Sequence, residues 1–187
     1  MDAVYPPLAF ISHIMNPSAV PVQDGSQRNV FPMLFTAGTQ TMKILPATPQ
    51  HYPGIARLYH SIDPELHLSA SDFSEGDRVR DPKFKFQRWV ASQEDEIVGA
   101  GYYTQSNWFA HPQKFMIWVG VQPGHQKGGI GSALYETILG GLEPFDPLAL
   151  RTHAAEDSPQ SIRFLEKRGF QEVIRDIPSE LQVQTFD

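Results

Sequence analysis

The chain has 187 residues, 41% hydrophobic and 19% charged, enough for one domain with a full core and short for two. A formal charge of -6 without a stripe of Lys or Arg excludes a nucleic-acid backbone as the main ligand, and no apolar run nears the roughly 20 residues that cross a bilayer. Cysteine is absent, so disulfides, thiolate metal sites and cysteine nucleophiles are excluded, and seven scattered histidines offer no metal cluster.

Residues 1–41 hold only three charged residues (Asp2, Asp24, Arg28) and five prolines. Neither helical nor strand periodicity lasts there, so the segment is expected to be an irregular extension to a domain over 42–187. It lacks the basic leader of a secreted chain, and a cytoplasmic protein is expected. Residues 41–45 predict a strand, and Pro46-Ala47-Thr48-Pro49 a stop followed by a helix start with Thr48 as N-cap. Tyr52, Ile55, Ala56 and Tyr59 then give one apolar helical face. A second helix fits 70–79. Strands at 86–92 and 97–105, joined by Glu94-Asp95, form a hairpin, and 107–112 is a loop.

A third strand, over 115–122, is mostly apolar. A helix follows over 130–139, closed by Gly140-Gly141. Residues 147–153 predict a strand, 158–168 a helix closed by Gly169, and 170–177 with 181–186 a final hairpin across Pro178-Ser179. The order gives an α/β domain with a mixed sheet flanked by helices.

The stretch Val119-Gly120-Val121-Gln122-Pro123-Gly124-His125-Gln126-Lys127-Gly128-Gly129-Ile130-Gly131-Ser132 is a strand, a proline stop, a glycine-dense turn and a helix start. A helix start leaves backbone N–H groups without partners and carries partial positive charge. Glycines remove the Cβ atoms that would keep an anion from those donors. The turn is therefore suited to phosphate or pyrophosphate. A P-loop would need Gly-Lys-Ser/Thr at its end, and a dinucleotide fingerprint a third glycine where Leu134 stands; neither fits.

Gln126-x-x-Gly129-x-Gly131, preceded by Val121-Gln122-Pro123 and followed by Ser132-Ala133-Leu134, resembles the Gln/Arg-x-x-Gly-x-Gly/Ala signature of the GNAT N-acetyltransferases. A second block, Ser158 to Phe170 with its Gly169-Phe170 exit, is similar to that family's penultimate helix. The resemblance spans about 42–187. It implies a mixed, mostly antiparallel sheet of six or seven strands flanked by helices, the acyl-CoA N-acyltransferase fold, splayed where acetyl-CoA lies. It implies further that backbone groups of Val119 and Val121 bond the pantetheine amides. By the same resemblance, the N–H groups of Gln126, Lys127, Gly128, Gly129, Ile130, Gly131 and Ser132 hold the pyrophosphate. Ser158 stands where an asparagine commonly touches the pantetheine arm, and also reads as a helix N-cap.

Two features common in the family are missing. Leu165 stands in place of the tyrosine that protonates the leaving thiolate, and residues 113–122 contain no Glu or His to take the amine proton. The candidates for proton relay are His153 and Tyr103, with Tyr102 and His111 behind them. The implied activity is acetyl transfer from acetyl-CoA to a small-molecule or peptide amine by direct attack on the thioester. A non-catalytic acetyl-CoA sensor or interaction module is the alternative. The acids Asp63, Glu65, Asp72, Glu75 and Asp77 either draw a cationic amine or serve as caps and solvated faces.

Overall fold

The computed structural model describes residues 10–15, 33–37, 40–105 and 111–175. Among these, eight strands form one sheet: β1 (Phe10–Met15), β2 (Met33–Ala37), β3 (Gln40–Pro46), β4 (Phe86–Gln93), β5 (Glu96–Thr104), β6 (Lys114–Val121), β7 (Ala149–Ala155) and β8 (Gln171–Arg175). Their spatial order is β2-β3-β4-β5-β6-β7-β1-β8. Every pairing is antiparallel except β6 with β7. The helices are α1 (Tyr52–Ile62), α2 (Ala70–Arg78), α3 (Ile130–Leu142) and α4 (Pro159–Glu166).

Local chemistry accounts for most element ends. Pro49–His51 forms a 3-10 turn that leads into α1. Ser69 and Asp72 form a reciprocal capping box at α2. Glu94 and Asp95 both take positive φ, 49° and 64°, as a tight hairpin turn between β4 and β5 requires. Gly169 ends the α4 segment at φ 81°.

Helices cover both faces of the sheet. On one, Tyr52, Ile55 and Leu58 of α1 and Phe73 of α2 pack on Val90 and Ala100. On the other, α3 presents Leu134, Ile138 and Leu142, all 0% exposed, to β4, β5 and β6. Burying each contributes about 1.5–3 kcal/mol.

Three expectations are corrected. Residues 1–41 are not wholly irregular, since β1 and β2 come from them, and the sheet has eight strands rather than six or seven. β1 lies between β7 and β8 and pairs with both, a placement made by distant partners that local periodicity cannot report. Helix α3 runs through Gly140 and Gly141 to Leu142. Gly141 is there for closeness, not termination: a methyl on it would lie 2.7 Å from Trp89 Cη2. The expected partner of β8, residues 181–186, lies outside the described residues, as does most of the loop over 107–112.

Candidate functional site

The one parallel pairing opens the site. β6 and β7 are in register only at Lys114↔Ala149, Phe115↔Leu150 and Met116↔Arg151, and beyond these pairs the strands part. Which backbone groups face the gap follows from parity. Gln122 N–H donates to Val98 O at 2.9 Å and Leu148 N–H to Gln113 O at 2.8 Å. With the β5–β6 register, even-numbered residues of β6 thus bond to β5 and odd-numbered ones face β7. Val119 and Val121 therefore turn their N–H and C=O groups toward the splay as a free strand edge would. Val121 O accepts a bond from Gln126 Nε2 at 3.1 Å.

The turn after β6 delivers the chain to the start of α3. Pro123–His125 is a 3-10 turn, and Lys127 and Gly129 take positive φ, 67° and 85°, which gathers successive N–H groups toward one side. Gly129 is the N-cap of α3, and its carbonyl accepts from Ala133 N–H at 3.0 Å. The N–H groups of Ile130, Gly131 and Ser132 belong to the helix start that has no intrahelical acceptor. No acidic residue occupies this first turn.

The glycines test whether an anion fits. A methyl at Gly124 or Gly129 would meet nothing within 4 Å, and one at Gly128 only His125 O at 3.6 Å. These glycines are not demanded by internal packing; they leave open space in front of the donors, suited to a phosphate. Gly131 differs, lying against Phe164 and Val121 at ordinary contact distances. A pocket of about 200 Å³ is lined by Gly124, His125, Gln126, Gly128 and Ile130 of the turn together with Met42 and Gln93.

Helix α4 closes the other flank. Ser158 is its N-cap, but its Oγ bonds Ser161 Oγ at 2.7 Å rather than a backbone N–H. Gln160 Nε2 donates to Gln126 Oε1 at 3.1 Å, and Arg168 Nη2 to Ser132 Oγ at 2.8 Å. Sequence reasoning missed Gln160 and Arg168, for a polar residue in a first turn and a basic one near a helix end are both ordinary.

The relay candidates separate. His153 lies two residues beyond the last β6–β7 pair. Leu150 and Ala154 of β7 join the core on the α3 side, so by alternation His153 faces the side of α1 and Trp118. Tyr103 is 7% exposed and packed among Phe115, Phe145 and Trp89, near Gly141 at the far end of α3. Burial raises its pKa. Packed in the core on the α3 side, Tyr103 does not line the face of the sheet on which His153 lies. Tyr102, its neighbour, points to the opposite face and stacks on Trp118 at 5.9 Å. Leu165 is 7% exposed within the core.

The acids of α2 are engaged internally. Asp72 accepts from Ser69 N–H at 2.7 Å, and Glu75 pairs with Arg78. Asp77 accepts from the Tyr52 hydroxyl, from Arg80 at 3.1 Å and from Arg88 at 3.3 Å. Among the described residues, no helix is long and apolar enough to cross a membrane.

The model of the acetyltransferase (GNAT) family matches residues 52–170. A tandem GNAT protein from the clavulanic acid biosynthesis pathway is 16% identical with a TM-score of 0.68, over 94% of this chain and 56% of that one. A GNAT-family protein from Novosphingobium aromaticivorans is 12% identical with a TM-score of 0.59, over 89% and 60%. The chain thus spans less than two thirds of either protein. Aminoglycoside N-acetyltransferase AAC(6')-Iy, solved in complex with CoA, is 13% identical with a TM-score of 0.60, over 79% and 99%. At these identities the likeness is one of fold. Comparison with curated proteins gives no match.

Proposed function

Since the chain belongs to the GNAT acetyltransferase family, we propose that it moves the acetyl group of acetyl-CoA to an amine on a small molecule or peptide. The observation that carries this reading is the meeting of a splayed strand edge with a glycine-lined helix start. Acetyl-CoA, when bound, supplies the acetyl group already activated as a thioester. Val119 and Val121 hold the pantetheine amides through their outward backbone groups, as one strand holds another. The N–H groups from Gln126 to Ser132 meet the pyrophosphate, and Ser158 offers its hydroxyl to the pantetheine arm.

The neutral amine attacks the thioester directly, and the chain's main contribution is to hold the two reactants together. His153 accepts the amine proton, directly or through water, from the face opposite α3. Asp72, Glu75 and Asp77 are already paired within the fold, so acceptor selection falls to other groups. A non-catalytic acetyl-CoA sensor is the second reading; it is favoured by Leu165, which puts a core leucine where an acid would stand.

Release of free thiol from acetyl-CoA with a panel of amines tests both. Acceptor-dependent release is expected, and His153→Ala should slow it by about 10²–10⁴-fold, the usual worth of a general base, at unchanged cofactor affinity. Tight binding without release across the panel would favour the sensor. No binding of acetyl-CoA would sink both readings.

A further inference from the structure

Arg168 lies just past the end of α4, yet its guanidinium reaches the first turn of α3. Nη1 donates to Phe164 O at 3.0 Å and Nη2 to Ser132 Oγ at 2.8 Å. The group lies over the Phe164 ring, 3.5 Å from its centroid, and 5.0 Å from that of Tyr135. It is held in place, not waving in solvent.

The C-terminal end of α4 favours the Arg168 cation, whereas the first turn of α3, which its other arm reaches, does not. A helix N-terminus favours anions and disfavours cations, and among the described residues no carboxylate lies within ion-pair distance of Arg168. Its Nε is buried without a hydrogen-bond partner. Burial lowers its pKa, while Tyr135 and Glu136 push the other way. A positive charge pinned beside a positive helix end makes sense when an anion completes the arrangement.

Ser132 completes the chemistry. A hydroxyl has one proton to give and two lone pairs. Because Oγ accepts from Arg168, its own proton is left to donate. Arg168 thus supplies charge and turns the hydroxyl of Ser132 into a donor, at the turn where the backbone donors converge.

We propose that Arg168 and Ser132 act as a phosphate-reading pair, adding charge-assisted recognition of the CoA phosphates to the backbone cradle of residues 126–132. This rests on the acetyl-CoA reading of the site. Arg168 would act on cofactor affinity rather than on the chemical step.

The test is calorimetric titration of CoA into the full chain and its Arg168→Met and Arg168→Lys variants at low and high ionic strength, with thermal unfolding to confirm that each is folded. Met keeps an apolar stem over Phe164; Lys restores the charge without the fork. Arg168→Met should weaken CoA binding on the order of 10- to 100-fold at low salt, the worth of a charged hydrogen bond. The deficit should shrink at high salt as screening grows, and Lys should recover part of it. Ser132→Ala should show a smaller loss. Unchanged affinity in Arg168→Met would overturn the proposal. So would a loss equal at both ionic strengths with no recovery by Lys, which marks a packing role. If the parent chain itself does not bind CoA, the acetyl-CoA reading fails first and this pair falls with it.

Discussion

Gly120 sits in β6 between the two valines whose backbone faces the splay. A methyl there would lie 2.3 Å from Trp118 Cη2 and 2.8 Å from Ile62 Cδ1, so the indole crosses directly over the glycine. Gly120→Ala must push Trp118 off its stack on Tyr59, now 4.5 Å between centroids. Overpacking of this kind costs about 1–3 kcal/mol, which denaturant unfolding of the variant would read. Asp77 tells a second residue-scale story. Burial opposes its charge, but the Tyr52 hydroxyl and the Arg80 and Arg88 guanidiniums outweigh that and hold its pKa below the usual carboxylate value. A depressed folded-state pKa gives stability that is full above the unfolded value, near 3.9, and is lost as pH falls through the lower folded one. Asp77→Asn should therefore flatten this part of the acid limb of stability against pH. It should also cost about 2 kcal/mol or more at neutral pH, because Arg88, with a side chain 10% exposed, loses its counter-charge. Urea unfolding from pH 7 down to pH 2.5 measures both effects.

At the scale of elements, β1 decides how the far edge of the sheet is built. It bonds to β7 on one side and β8 on the other, and the side chains of β8 are exposed throughout, so β8 is tied to the sheet mainly through β1. A chain beginning at Met42 loses β1 and β2 and starts inside β3. The facing edges of β3, β7 and β8 then lack partners, an arrangement that invites aggregation. The expected result is a lower unfolding midpoint by circular dichroism and association visible by light scattering. An unchanged midpoint in a monomeric product would place β1 outside the cooperative unit. Most elements beyond residue 40 were legible from the chain because their causes are local: the apolar face of Tyr52, Ile55, Ala56 and Tyr59 in α1, and the Glu94-Asp95 turn between β4 and β5. The end of α3 was misjudged for the opposite reason. Gly140-Gly141 has the text of a helix stop, and only the nearness of Trp89 to Gly141 shows why the helix continues.

For the whole molecule, the residues by themselves determined the α/β class, the family, and the glycine turn that starts α3. Each depends on neighbours in sequence: periodicity along one element, and a strand-turn-helix motif whose backbone donors and missing Cβ atoms lie within fourteen consecutive residues. Tertiary structure alone decided what depends on distance in space. It separated His153 from Tyr103, because alternation within a strand does not reveal which face looks toward the splay and which into the core. It brought Arg168 to Ser132 across 36 positions and drew Asp77 into a cluster with Tyr52 and Arg88. It also inserted β1 beside β7, since a strand pairs wherever a free edge of matching register stands, and nothing in six residues names that edge.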